Sequence, residues 1–460
     1  MSGDRVTRKL VTGWGSAAAT SANVVRLADA VSVAAAVLDA GHRGVLARGL
    51  GRSYGDAAQN AGGMVLDMPS MPPSIMLDAA HAQVTAGAGI SLDQLMRTLV
   101  PLGFFVPVTP GTRQVTVGGA IAADIHGKNH HADGTWGQHV RRFGLTLADG
   151  SYRYVTLRDD PETFWATTGG MGLTGVITDA TVDLVPVETS RMLVRTERAA
   201  NLDDLMALME QTDATYRYSV AWVDLVATGG TLGRSVLTAG DHASLAALTG
   251  KAAADPLAFS PGELLTAPPV FPSGLLNKHT VRAFNEVWFR KAPKRRLDQV
   301  QSIGAFFHPL DGVGMWSRLY GPRGFLQYQF AIPFGEEETL RKIVERLAGS
   351  GAASFLAVLK RFGASNPGPL SFPMPGWTLT LDIPAGLSGL NDLLDITDRD
   401  VADAGGRLYL AKDSRLDPSL LARMYPRLEE WRETQALLDP TGRFQSDLNR
   451  RLGLTKKVLP

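Results

Sequence analysis

Cysteine is absent from this sequence, which excludes disulfides, thiolate metal sites, cysteine nucleophiles and dithiol redox chemistry together. The compartment stays open, because a cysteine-free chain suits either redox environment. Neither sign of charge dominates: 46 Lys and Arg face 45 Asp and Glu, for a formal net charge of +1. No global attraction to nucleic acid follows, and no nucleic-acid partner is expected. Long apolar runs are missing as well. No stretch is long enough to span a bilayer, and residues Met1 to Val24 carry scattered charges where a secretory signal needs a continuous apolar core. These absences predict a soluble chain, on the cytoplasmic side or associated peripherally with a membrane or the cell envelope.

What is present suits a large globular fold. The 460 residues are 45% hydrophobic and 20% charged, ample for two domains. Up to about residue 190, short apolar runs alternate with Gly-rich turns and helical patterns. Ala28 to Ala40 reads as a helix leading into a strand at Gly44 to Arg48. Ser91 caps a helix with Leu92, Leu95, Met96 and Leu99 on one face. Leu145 to Val155 reads as a hairpin turning at Asp149-Gly150. From Arg191 to Gly406 the texture changes to longer alternating strands among amphipathic helices. That pattern predicts an α+β domain with an antiparallel sheet and helices on one face. Asp255 to Leu276, with five prolines and an apolar series that includes Leu257, Phe259, Leu264, Leu265, Val270, Phe271, Leu275 and Leu276, reads as a long lid-like loop.

Three Gly-rich segments carry candidate chemistry. Ala47-Arg-Gly-Leu-Gly-Arg-Ser-Tyr-Gly-Asp56 superficially matches a nicotinamide-binding turn. Its third glycine comes one position late, however, and a loop follows where an apolar helix is needed. Its clustered backbone N–H groups suit a pyrophosphate, and equally an ordinary Gly-rich turn. In the second segment, Gly118-Gly119 opens an Ala/Ile run as a helix N-terminus that approaches a phosphate or flat ring closely. Ile125-His-Gly-Lys-Asn-His-His131 follows. His126 and His130 have helical spacing, but Gly127 disfavours a helix there and no Glu accompanies them, so no metal is expected. The third segment places Gly169, Gly170, Gly172 and Gly175 before a strand that includes Ile177.

These segments, in this order, with Asp439-Pro440 and Phe444-Gln-Ser-Asp447 near the end, resemble the vanillyl-alcohol-oxidase-like FAD flavoproteins. The resemblance implies a two-part FAD domain made of residues 1–190 and 407–460, around an inserted substrate domain at 191–406. It puts cofactor contacts on Arg48, Gly49, Gly51, Arg52, Ser53, Tyr54 and Gly55. Further contacts fall on Pro110, Gly111, Thr112, Thr116, Gly118, Gly119 and Ala123, on His126, Gly127 and Asn129, and on Gly172, Ile177 and Lys412. Sugar oxidases of this family often have a Gly-His-Ser stretch whose His bonds the flavin covalently. Here Gly51-Arg52-Ser53 stands in its place, which implies non-covalent FAD.

Phe325-Leu-Gln-Tyr-Gln-Phe330, Leu370 to Trp377 and Ala411-Lys-Asp-Ser-Arg415 narrow the likeness. They are similar to the branch that oxidises the 2′-hydroxyl of decaprenylphosphoryl-β-D-ribose, the first half of an epimerisation that serves cell-wall arabinan synthesis. This implies a polyprenyl-phosphate sugar substrate and an NADH-dependent keto-reductase partner, with Lys412, Tyr54 and His126 at the catalytic centre. Without the resemblance, Lys412 reads rather as an exposed lysine paired with Asp413 than as a catalytic group.

On the substrate side, Gln327 and Gln329 share one face of a strand, and buried amides need partners such as sugar hydroxyls. Lys360, Thr378, Thr380, Trp222 and Phe307 complete the substrate candidates. Thr380 falls where relatives can carry a cysteine. The basic cluster Arg290, Lys291, Lys294, Arg295 and Arg296 beside the Pro-rich stretch suits peripheral membrane contact. Three rival readings remain open here: a soluble aldonolactone or alditol oxidase of the same fold, a non-catalytic flavin scaffold, and, more remotely, a nicotinamide dehydrogenase.

Overall fold

Alternating apolar residues and sharp turns build three main sheets in a computed structural model that describes residues 6–16, 18–262, 265–266, 277–352 and 354–456. The first sheet joins β1 (Val6–Thr12), β2 (Ala19–Arg26), β3 (Val45–Arg48) and β4 (Met64–Asp67) in the order β1-β2-β4-β3. β1 and β2 are antiparallel, whereas β2, β4 and β3 run parallel. Parallel strands need a crossover. Between β2 and β3 it is α1 (Ala30–Leu38), started by an Asp29–Ser32 capping box and burying Val33, Ala36 and Val37. The end of the chain returns to this sheet, where Val45 bridges Phe444 and its N–H donates to the Arg443 carbonyl.

The second sheet is antiparallel. It contains β5 (Ile75–Asp78), β6 (Gln83–Gly87), β7 (Val140–Thr146), β8 (Tyr152–Thr156) and β9 (Val176–Asp183), ordered β5-β6-β9-β7-β8. The expected hairpin is β7 and β8. The expected helix is α2 (Leu92–Leu99), with a Ser91–Gln94 capping box and all four apolar residues buried. A short α3 (Val117–Ala122) follows, its Thr116 Oγ1 accepting from the Gly119 N–H.

The third sheet is wholly antiparallel and has eight strands: β10 (Arg191–Ala199), β11 (Tyr218–Val223), β12 (Ser235–His242), β13 (Arg295–Ser302), β14 (Phe325–Pro333), β15 (Ala357–Phe362), β16 (Gly376–Pro384) and β17 (Arg407–Leu408). Their order is β13-β10-β12-β11-β15-β16-β14-β17. Strand alternation gives its faces different jobs. Ala221, Leu237, Leu359, Leu379 and Leu381 pack beneath α4 (Leu202–Asp213), α6 (Glu337–Ser350) and α7 (Leu390–Asp403) in one core. Their neighbours Trp222, Val236, Val358, Lys360 and Thr380 turn to the opposite side and line a cavity. The fold is thus α+β, an FAD-type domain joined to an antiparallel sheet domain, as expected.

Between β12 and β13 lies α5 (Lys278–Lys291). Of the Pro-rich stretch, residues 263–264 and 267–276 lie outside the described residues, and with them the expected lid residues Leu264, Val270, Phe271, Leu275 and Leu276. Its first part is anchored: Leu257 and Phe259 pack on the core, and Ser190 donates to the Pro256 and Ala258 carbonyls. No helix among the described residues is long and apolar enough to cross a membrane.

Candidate active site

A cavity of about 850 Å³ opens between the Gly-rich loops of the first two sheets and the free face of the third. This is at the large end for small-molecule sites. Its walls bring together nearly all the residues singled out from the sequence. Gly49, Gly51, Arg52, Ser53 and Tyr54 come from the first loop. Pro110, Gly111, Thr112, Thr116, Gly118, Gly119 and Ala123 come from the second, with His126 and Gly127 after it. Gly172, Ile177, Lys412, Gln327, Lys360, Thr380, Trp222 and Phe307 complete the lining.

The two glycine loops touch across the cavity edge. A Cβ on Gly49 would sit 2.2 Å from Thr116 Oγ1, and one on Gly118 2.9 Å from the Ala88 Cβ. Side chains are therefore excluded at both places, which leaves bare backbone facing the space a dinucleotide pyrophosphate would need. Arg52 anchors the rim, its guanidinium 3.7 Å above the Trp14 ring and its Nε donating to the Gln114 carbonyl. The residues present fit FAD.

Deeper in, three half-buried lysines meet. Lys128 Nζ donates to the Phe306 carbonyl and lies over the Phe306 ring. Lys360 Nζ lies 3.1 Å from His126 Nδ1, and Gln329 Nε2 lies 3.1 Å from His126 Nε2. Burial pulls Lys128, Lys360 and Lys412 each down to about 7, with Lys360 adding to the effect on the other two. His126 is wedged against Phe362, Phe372 and Tyr409. Burial, then the nearby lysines, push its imidazole well below the usual range, so it is neutral. Among the described residues no cluster of His, Cys, Asp and Glu is suited to a metal ion.

Lys412 follows the short edge strand β17 on a tight turn, its N–H donating to the Tyr409 carbonyl. Asp413 is not its partner. That carboxylate pairs with Arg451 at 2.8 Å and accepts from the Arg415 and Leu416 N–H groups. Lys412 Nζ is instead turned to the Tyr54 ring, 5.6 Å from its centroid. Asp382, fully buried at the end of β16, accepts from Gln327 Nε2 at 2.6 Å and from the Tyr320 hydroxyl at 3.4 Å. Burial raises its carboxyl to about 7, while Lys412 pulls the other way. With one N–H of Gln327 Nε2 committed to Asp382, the amide oxygen remains free to accept from a ligand hydroxyl.

Five singled-out residues stand behind the wall. Arg48 donates to the Thr12 and Ala58 carbonyls and fills the space over Gly51. Gly55 packs against the Asp413 carbonyl, which a Cβ would meet at 1.8 Å. Asn129 donates to the Pro107 carbonyl and to Asp133. Gln329 and Thr378 are bonded to each other under His126. Sequence reading missed Trp14, Lys128, Asp311, Tyr409 and Asp382 on or beside the cavity. Lys128 stands inside the Ile125–His131 segment, and Asp382 is the one charged residue of the strand Gly376–Pro384.

Residues 21–156 match the FAD binding domain family. Over 97% of this chain and 98% of the relative, the sequence is 46% identical to decaprenylphosphoryl-beta-D-ribose oxidase of Mycolicibacterium smegmatis. It is 45% identical to an uncharacterised Streptomyces coelicolor protein, over 79% of this chain and all of that one. Alditol oxidase of a Streptomyces species is more distant, 28% identical over 38% of this chain and 42% of its own. Likeness at nearly half the positions from end to end, around a cavity built for a dinucleotide, makes this chain a member of the FAD-dependent oxidoreductase family to which decaprenylphosphoryl-beta-D-ribose oxidase belongs.

Proposed function

We propose that this protein oxidises the ribose 2′-hydroxyl of a polyprenylphosphoryl-β-D-ribose to a ketone, the first half of an epimerisation that supplies the arabinose donor for cell-wall arabinan. The observation that carries this reading is the convergence of Lys412, Tyr54, Asp382 and Gln327 at one end of a cavity whose other side is apolar. The hydroxyl proton passes to the neutral amine of Lys412, and Tyr54 and Gln327 hold the sugar in register. When bound, FAD supplies the acceptor for the hydride leaving the same carbon. Lys128 and Lys360, which have no carboxylate partner among the described residues, suit the phosphate. Phe307, Val236 and Trp222 offer the carrier chain an apolar path.

FAD is held without a covalent bond in this reading. Arg52 replaces the tethering histidine, and both ring nitrogens of His126 are already engaged. The domain limits near residues 190 and 407 belong to the same proposal, as do a separate NADH-dependent keto-reductase and contact with a membrane surface.

The test is the anaerobic visible spectrum of the flavin-loaded protein before and after a short-chain polyprenylphosphoryl-ribose is added. Bleaching with that lipid and not with free pentoses or alditols supports the reading. Bleaching with free sugar alone moves the protein to the alditol-oxidase class. A protein that takes up no FAD overturns it.

A further inference from the structure

Helix α5 turns most of its side chains to solvent. Only Val281 and Asn285 are buried along its length. Val281 meets Val226 and Phe355, and Asn285 Nδ2 donates to Asp224 at 2.7 Å, so a narrow seam holds the helix to the domain. The outer side carries Phe284, Val287 and Trp288, which are 46%, 66% and 47% exposed. Their spacing places them on one stripe, and the Phe284 and Trp288 rings stack at 6.1 Å. A large contiguous apolar patch on a protein surface marks an interaction site.

The charges around this patch choose its partner. Lys278, Arg282, Arg290, Lys291, Lys294, Arg295 and Arg296 are exposed, against Glu286 and Asp298 in the same stretch. Glu286 is already neutralised by Arg234 and Arg290. With a net charge of +1 for the whole chain, this is a local concentration of cations. A second copy of this chain would bring the same positive face and be repelled. An apolar stripe flanked by Lys and Arg is instead the pattern of a helix lying in the headgroup region of an anionic bilayer.

The patch is also continuous with the cavity, because Trp288 and Met315, the latter 45% exposed, belong to the cavity lining. We propose that α5 and the start of β13 form the docking face for an anionic lipid surface, with the cavity mouth at its centre. A polyprenyl chain then passes from the leaflet into the cavity without crossing water. This deepens the polyprenyl reading and rests on it for the role of the docked state, while lipid binding itself is measured without substrate.

The experiment is co-sedimentation of the flavin-loaded protein with phosphatidylcholine vesicles, with and without phosphatidylglycerol. Wild type is expected to sediment only with the phosphatidylglycerol vesicles and to be released by high salt. Val287→Asp, and separately the double reversal Lys291→Glu with Arg296→Glu, are expected to lower partitioning at least about tenfold. Retained flavin absorbance shows that each variant is folded. Equal sedimentation of wild type and variants, or binding indifferent to phosphatidylglycerol, overturns the proposal. So does a dimer in lipid-free solution that Val287→Asp dissolves, since the face then belongs to self-association. Oxidation of a water-soluble short-chain substrate separates the two readings: variants that lose vesicles but keep this activity support both. A wild type that binds vesicles but never oxidises the lipid sugar overturns the substrate reading alone.

Discussion

Lys360 Nζ and His126 Nδ1 are 3.1 Å apart, and on the other side of the ring Gln329 Nε2 is equally close to Nε2. A neutral imidazole has one N–H and one lone pair, so it cannot accept from both neighbours. A neutral Lys360 amine resolves this by accepting from Nδ1–H, leaving Nε2 to accept from Gln329. Below about pH 7 Lys360 becomes an ammonium and must donate, which moves the ring proton to Nε2 and turns the unpartnered Gln329 oxygen toward it. Nitrogen NMR of the labelled ring is therefore expected to show a change of tautomer near pH 7 with no imidazolium. An imidazolium signal at pH 6 contradicts this.

Replacing Lys412 tests the proton acceptor. Lys412→Ala is expected to lower turnover by about 10²–10⁴-fold, the usual worth of a positioned base, with flavin content unchanged. Lys412→Arg does not rescue, because a guanidinium stays charged. The working form is the neutral amine, and burial holds Lys412 at about 7, so wild-type turnover climbs as pH rises through that value. A profile that falls there instead gives Lys412 another role.

Asp382 acts through Lys412 and Gln327. Its negative charge raises the Lys412 pKa, so Asp382→Asn is expected to move the rising limb of the pH–rate profile to lower pH. Because the carboxylate also fixes Gln327, KM for the sugar substrate increases as well. A profile that stays in place shows that the two groups are not coupled.

Gly49→Ala tests the convergence of the glycine loops. The added methyl would stand 2.2 Å from Thr116 Oγ1, so either the loops part or the cap of α3 is lost. The purified variant is expected to have little flavin, measured as visible absorbance relative to protein absorbance. Full flavin content means the loop moves freely.

Lys128→Met is expected to stabilise the protein by about 1–2 kcal/mol while weakening the substrate complex, the usual exchange at a functional site. The folded state holds Lys128 near 7, far below its unfolded value. Between those values the unfolded chain binds the extra proton, so wild-type stability rises with pH across that window. The gain from Lys128→Met is therefore greatest below pH 7 and shrinks at alkaline pH. Melting curves at two pH values decide the matter.

How much of this was legible in the sequence varied with the kind of signal. Local patterns were readable: Ser91 with Gln94 capping α2, Asp149-Gly150 turning β7 into β8, and the alternation in β14 and β16. The cavity face of the third sheet was half visible, since Gln327 and Lys360 broke apolar runs. Gln329 has the same parity as Gln327, yet it lies beneath His126 because the packing of that ring, not strand parity, decides which amide meets the cavity. Lys128 and Asp382 were passed over for a related reason. Each takes its meaning from neighbours far away in the chain, Phe306 for one and Gln327 with Lys412 for the other.

The closure of the first sheet by the tail of the chain has a consequence for how the protein is made. Tyr54 N–H donates to the Ala411 carbonyl, Gly55 leaves no room beside the Asp413 carbonyl, and Val45 is bonded to Arg443 and Phe444. During synthesis the Gly-rich loop emerges early but stays unsupported until Ala411 to Phe444 has left the ribosome. Capture of the cofactor is then expected only once Ala411 to Phe444 is in place, and a chain cut before Ala411 is expected to purify without colour.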